Sequence, residues 1–157
     1  MLLLLLSVSA RGDHRALVAQ LRGGSAEAQE KAAWALGNLA HTSAESQVTI
    51  AQAGAIEPLV DLVRGGSARA QENAAWLLAK LAHSDPNRVA ITQAGAIEPL
   101  VALMRYGSPV AREKAVRTLG YLATNADSHV AIARAGAIVP LVALLRGGSP
   151  AARGEAA

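Results

Sequence analysis

The chain has no cysteine and no phenylalanine, and aromatic residues make up only 3% of it. Without cysteine there is no disulfide framework, no thiolate metal site and no cysteine nucleophile. Without phenylalanine the core falls to Ala, Leu, Val and Ile, which suits many short helices packed closely in layers. Excess charge is also scarce. The formal charge is +3 over 157 residues, with Lys and Arg dispersed along the chain. That balance gives a mild preference for acidic partners and does not single out nucleic acid. No apolar run reaches the ~18–20 residues needed to cross a bilayer. His14, His41, His83 and His129 form no HxxxH pair and no cluster with carboxylates at ligand spacing, so no metal and no other cofactor is expected. The Gly-Gly pairs lack the Gly-Lys-Ser/Thr that makes a phosphate loop. No activated nucleophile or motif-placed base appears, so neither an enzyme nor a small-molecule substrate is expected.

What is present begins with an apolar N-terminus, Met1-Leu2-Leu3-Leu4-Leu5-Leu6, followed by Val8-Ser9-Ala10. It resembles a short secretory core with small residues at a cleavage site. It lacks a basic start and falls short of the usual ~15–30 residues. Residues 1–11 therefore read as a separate apolar segment, either disordered or the remnant of a preceding helix. Arg11-Gly12-Asp13 spells an adhesion-type tripeptide, but such triplets arise by chance, and Gly12 fits the repeat register below.

Self-similarity dominates the rest. Gly54-Ala-Ile-Glu-Pro-Leu-Val60, Gly95-Ala-Ile-Glu-Pro-Leu-Val101 and Gly136-Ala-Ile-Val-Pro-Leu-Val142 start 41 residues apart. A second marker is Arg22-Gly-Gly-Ser25, Arg64-Gly-Gly-Ser67, Arg105-Tyr-Gly-Ser108 and Arg146-Gly-Gly-Ser149. A third is Ala32-Ala-Trp-Ala-Leu-Gly-Asn-Leu-Ala40, Ala74-Ala-Trp-Leu-Leu-Ala-Lys-Leu-Ala82 and Ala115-Val-Arg-Thr-Leu-Gly-Tyr-Leu-Ala123. All three keep one register.

Each unit reads as three helices. The first, as in Asn87 to Ala94, stops at Gly95, a residue suited to a left-handed helix end. The second carries Pro99 in its opening turn, where a missing N–H costs little, and Leu100, Val101, Leu103 and Met104 form its apolar face. Arg105 complements the helix dipole at its end. Ser108 then caps the third and longest helix, whose Leu119 and Leu122, like Leu36 and Leu39 or Leu78 and Leu81, face inward. Such a unit buries its apolar surface only against neighbours.

These markers resemble the armadillo repeat family, which includes importin-alpha, beta-catenin and many plant and protist proteins. The resemblance covers roughly residues 12–157 and implies an all-α fold, a right-handed superhelix of three-helix repeats of about 41 residues. The register divides the chain into a partial repeat at 12–40, full repeats at 41–82 and 83–123, and a truncated repeat at 124–157. Gly12 aligns with Gly54 and His14 with Ile56, and the more polar His14 suits a terminal unit with a solvated outer face. At the far end Ser149 should open a third helix that the chain does not complete. Exposed Leu and Val, and self-association through the truncated repeat, are expected there.

The resemblance also implies where a ligand lies. In the family the third helices line a concave groove, where Trp and Asn hold an extended peptide. The candidate peptide-binding residues are Glu30, Trp34 and Asn38 in the first unit, Glu72, Trp76 and Lys80 in the second, and Glu113, Arg117 and Tyr121 in the third. Each set is spaced four apart along one helical stripe. An Asn amide pairs with strand N–H and C=O whatever the ligand sequence, and an indole face receives the stem or cation of Lys or Arg. Only the first set carries the full Glu-Trp-Asn pattern; Lys80 and Arg117 instead attract acidic groups. The expected role is a protein- or peptide-binding scaffold in the cytoplasm or nucleus. The alternatives are a structural piece of a longer array, contacting its own repeats or copies of itself, and weak nucleic-acid binding, which salt would suppress.

Overall fold

In a computed structural model, the described residues are 2–147. Met1 and residues 148–157, including the expected cap Ser149, lie outside them, as do the side chains of Leu145 and of residues 2–12, and with the latter the signal-like run and most of the Arg-Gly-Asp triplet. Among the described residues the regular elements are ten helices: α1 (Leu2–Gly23), α2 (Ala26–Thr42), α3 (Ala44–Gln52), α4 (Ile56–Gly65), α5 (Ala68–Leu81), α6 (Asp85–Gln93), α7 (Ile97–Tyr106), α8 (Pro109–Leu122), α9 (Ala126–Arg134) and α10 (Ile138–Gly147). The trios α3–α4–α5 and α6–α7–α8 are the three-helix units read from the sequence. α1 and α2 take the second and third places of the unit before them. α1 runs unbroken across residues 11 and 12.

Local chemistry sets the breaks. Gly54, Gly95 and Gly136 sit at φ of 85°, 77° and 73° between first and second helices, where a side chain would be strained. The hydroxyls of Ser25, Ser67 and Ser108 accept from the amides of Ala28, Ala70 and Ala111 at the starts of α2, α5 and α8.

Packing follows the repeat. α2 lies against α5 and α5 against α8, so the third helices form one continuous layer, with α4 and α7 packed beneath α5 and α8. Leu36, Leu78, Leu81, Leu119 and Leu122 are buried in that layer; Leu39 is only partly so. Ile56, Leu59 and Val63 in α4, and Ile97, Leu100 and Met104 in α7, supply the facing side.

Two expectations change. His14 is not solvated: it is 4% exposed, because it shares the inward face of α1 with Val18 and Leu21 at helical spacing. Near the C-terminus the expected exposure holds for Val139 and Val142, joined by Ile138, but among the described side chains Leu141 and Leu144 tuck partly against the core. Among the described residues no single helix is long and apolar enough to cross a membrane.

Candidate functional site

The nine stripe residues all fall on α2, α5 and α8, but they do not behave alike. Trp34 is 58% exposed. It lines a cleft of about 330 Å³ with Glu30 and Lys31 of its own helix and Arg69 and Asn73 of α5. Trp76 is half-buried, and its indole lies on Gly37 so closely that a Cβ there would overlap the six-membered ring. The difference is positional. Trp76 has the preceding third helix to lean on, while the helix before α2 is α1, a second helix, which offers Trp34 no such seat. One residue beyond Gly37, no intramolecular hydrogen bond engages the Asn38 amide among the described residues. Trp34 and Asn38, four residues apart, share one face of α2, and Trp76 covers the same helix at Gly37.

The glutamates belong to the joints between repeats. The Ser67 hydroxyl donates to Glu30 at 3.3 Å, and the Ser108 hydroxyl donates to Glu72. Each carboxylate so ties its helix to the cap of the next third helix. Asn73 adds a bond from its amide to the Glu30 carbonyl at 3.2 Å, and Arg69 approaches the Glu30 carboxylate at 3.9 Å. Glu113 faces Arg117 at 3.8 Å. Tyr121 rests on the His83 ring, with centroids 4.7 Å apart. His83 Nδ1 donates in turn to the Lys80 carbonyl at 2.9 Å, the assignment being forced because a carbonyl only accepts.

The Armadillo/beta-catenin-like repeat family matches residues 15–41, 43–83 and 84–124. The chain belongs to the armadillo repeat family. Among solved structures it is similar to a designed armadillo repeat protein in complex with the peptide (KR)4, at 32% identity and a TM-score of 0.82, covering 90% of this chain and 60% of that one. It is also similar to computationally designed armadillo repeat proteins for modular peptide recognition, at 30% identity and a TM-score of 0.84, again over 90% of this chain and 60% of the other. An engineered protein matches at 32% identity and a TM-score of 0.85 over 92% of this chain and 36% of its own. The chain thus spans at most about 60% of the length of these structures. No curated protein matches significantly.

In this armadillo array the charge along the third helices is uneven. At its start Lys31 pairs with Glu27 at 2.6 Å. Their mutual hydrogen bond and charge lower the Glu27 carboxyl and raise the Lys31 ammonium. Both groups are solvated, so the pair contributes little to stability. Further along, burial holds the Lys80 ammonium below its ordinary range, and the nearby cations Arg117 and Lys114 push it the same way.

Drawing the stripe at four-residue spacing missed Lys31, Asn73 and Lys114. These hold one repeat position, three residues before Trp34, Trp76 and Arg117. Because i and i+3 share a helix face as i and i+4 do, a search for that second spacing would have found them. Arg69 and His83 carried no such signal, since their importance comes from contacts between repeats.

Proposed function

We propose that the chain is a protein- or peptide-binding scaffold whose ligand lies as an extended segment along the third helices, over Trp34, Asn38 and Trp76. The observation that carries this reading is the 58% exposure of Trp34 beside an unengaged Asn38 amide. A large indole left in water is unfavourable unless something covers it, and exposed tryptophans are the commonest anchors of interfaces. The similar designed proteins support the reading, since one was solved with a peptide. Glu30, Glu72 and Glu113 set the spacing of the helices and shape the electrostatic background, while the contacts fall to Trp34, Asn38, Trp76, Lys80, Arg117 and Tyr121.

The test uses Trp34→Ala, with labelled octaglutamate and the peptide (KR)4 as probes in fluorescence anisotropy. We expect affinity for the bound probe to fall about tenfold, which is ~1.4 kcal/mol, while the melting temperature stays within about 1 °C because no core contact is lost. A lowered melting temperature with unchanged affinity would show the indole to be structural.

A second reading has its own support. Val130, Ile138, Val139 and Val142 are exposed on α9 and α10, and such a cluster favours contact with further repeats or a second copy. Sedimentation of the intact chain across concentrations tests it; a strictly monomeric chain at high concentration removes self-association.

A further inference from the structure

We propose that the part of the third-helix face around Lys80, Lys114 and Tyr121 binds an acidic segment of the peptide, so that the ligand must be anionic where it crosses α5 and α8. This rests on the scaffold reading above and adds the ligand chemistry.

The first ground is where the cations find partners. At the start of the layer the chain neutralises its own charges: Lys31 pairs with Glu27 at 2.6 Å and Arg69 approaches Glu30 at 3.9 Å. Further along, Arg117 pairs with Glu113 at 3.8 Å, but the two lysines are left out. Among the described residues neither Lys80 nor Lys114 makes an ion pair. The nearby carboxylates are already engaged, Glu72 with the Ser108 hydroxyl and Glu113 with Arg117.

The second ground is position. Lys80 occupies in α5 the place that Asn38 holds in α2, and Lys114 occupies that of Asn73. Two neutral amides, each able to bond a backbone of any sequence, are thus replaced by ammonium groups on neighbouring helices. The Thr118 hydroxyl links α8 to α5, sharing its one proton between the Ala75 carbonyl at 3.1 Å and the Lys114 carbonyl at 2.9 Å. The Tyr121 ring is propped on His83, itself anchored to the Lys80 carbonyl at 2.9 Å. A phenol hydroxyl and two ammonium groups therefore offer donors to an arriving anion, while the nearby Glu72 and Glu113 carboxylates are held by Ser108 and Arg117.

The third ground is energetic. Burial and like charge already disfavour the charged form of Lys80. An anion placed here relieves that penalty as well as adding its own attraction. At Lys31, where Glu27 has done this, the same anion gains less.

A peptide is favoured over nucleic acid because Glu30, Glu72 and Glu113 recur along the same face. A chain of phosphates needs a continuous basic stripe, whereas a peptide needs anionic groups only locally.

The experiment titrates the full chain with labelled octaglutamate, (KR)4 and an eight-nucleotide oligothymidylate, at about 50 and 200 mM salt. We expect octaglutamate to bind about tenfold more tightly than (KR)4. Lys80→Asn, which restores the residue of the preceding repeat, should shrink that preference at least about threefold. Arg134→Gln, an equal loss of charge on the exposed side of α9, should leave it unchanged. The proposal is overturned if (KR)4 is preferred, if Lys80→Asn leaves the ratio unaltered, if Arg134→Gln has the same effect, or if oligothymidylate outcompetes octaglutamate. Trp34→Ala separates the two readings. If it weakens both peptides while Lys80→Asn leaves their ratio alone, only the charge assignment falls. If Trp34→Ala has no effect, or neither peptide binds, the scaffold reading falls and takes this assignment with it.

Discussion

Gly37 and Trp76 are a matched pair: the absence of a side chain on α2 makes room for an indole from α5. One repeat on, Ala79 stands where Gly37 does, and Arg117 replaces the indole. That exchange was visible in the sequence, but its reason was not, because a glycine inside a helix signals only lost propensity until the neighbouring helix is in view. His14 is a similar case. Its place in the repeat is that of Ile56 and Ile97, and a polar residue there was legible; that it points inward was not. Among the described residues its Nδ1 is buried without a hydrogen-bond partner, and an unsatisfied buried polar atom costs about 1–3 kcal/mol. His14→Ile installs the residue used by the next two repeats. We expect it to stabilise the chain by about 1 kcal/mol and raise the melting temperature by ~2–4 °C, measured by calorimetry at neutral pH. A lower melting temperature would mean that the imidazole has a role the isoleucine lacks.

The helices themselves were the most legible feature, because their start and stop signals act over a few residues. Gly54, Gly95 and Gly136, the capping serines and the early prolines all lie where local physics requires them. Less legible was a second use of the caps. Ser67 and Ser108 each cap their own helix and also donate to a glutamate of the preceding third helix, so one hydroxyl serves both a helix and the seam between two repeats. This explains why Glu30 and Glu72 recur without their having to touch a ligand. Ser108→Ala removes the cap, worth about 1 kcal/mol, and leaves the half-buried Glu72 carboxylate without its donor, so we expect a loss of about 1.5–2.5 kcal/mol in denaturant unfolding. Ser25→Ala removes a cap that has no such second bond among the described residues and should cost only the first part. Equal losses for the two variants would show the Ser108–Glu72 contact to be energetically idle.

Over the whole molecule, stability is a sum of repeats and of the interfaces between neighbours, and one interface differs from its equivalents. The Arg22 guanidinium donates to the Gly54 carbonyl at 3.1 Å, and that of Arg105 to the Gly136 carbonyl at 2.7 Å. Each arginine closes the end of a second helix onto the turn of the next repeat. Arg64 is the equivalent residue between them, yet it bonds Asp61 on its own helix at 3.4 Å, and nothing lies within 4 Å of a Cβ built on Gly95. The cause is a single substitution in the pattern: where Asp61 stands, the other units have Ala19, Ala102 and Ala143. The Asp61–Arg64 pair is solvent-exposed and so worth little, about 0–1 kcal/mol. A charged donor on the Gly95 carbonyl is worth up to ~1.5–3 kcal/mol before the entropy of ordering the side chain. Asp61→Ala should therefore cost no stability despite removing an ion pair, and should slow amide exchange at the Gly95 turn severalfold. Asp61→Ala combined with Arg64→Ala should lose that protection. If Asp61→Ala instead destabilises the chain and quickens exchange there, the ion pair itself holds the second and third units together.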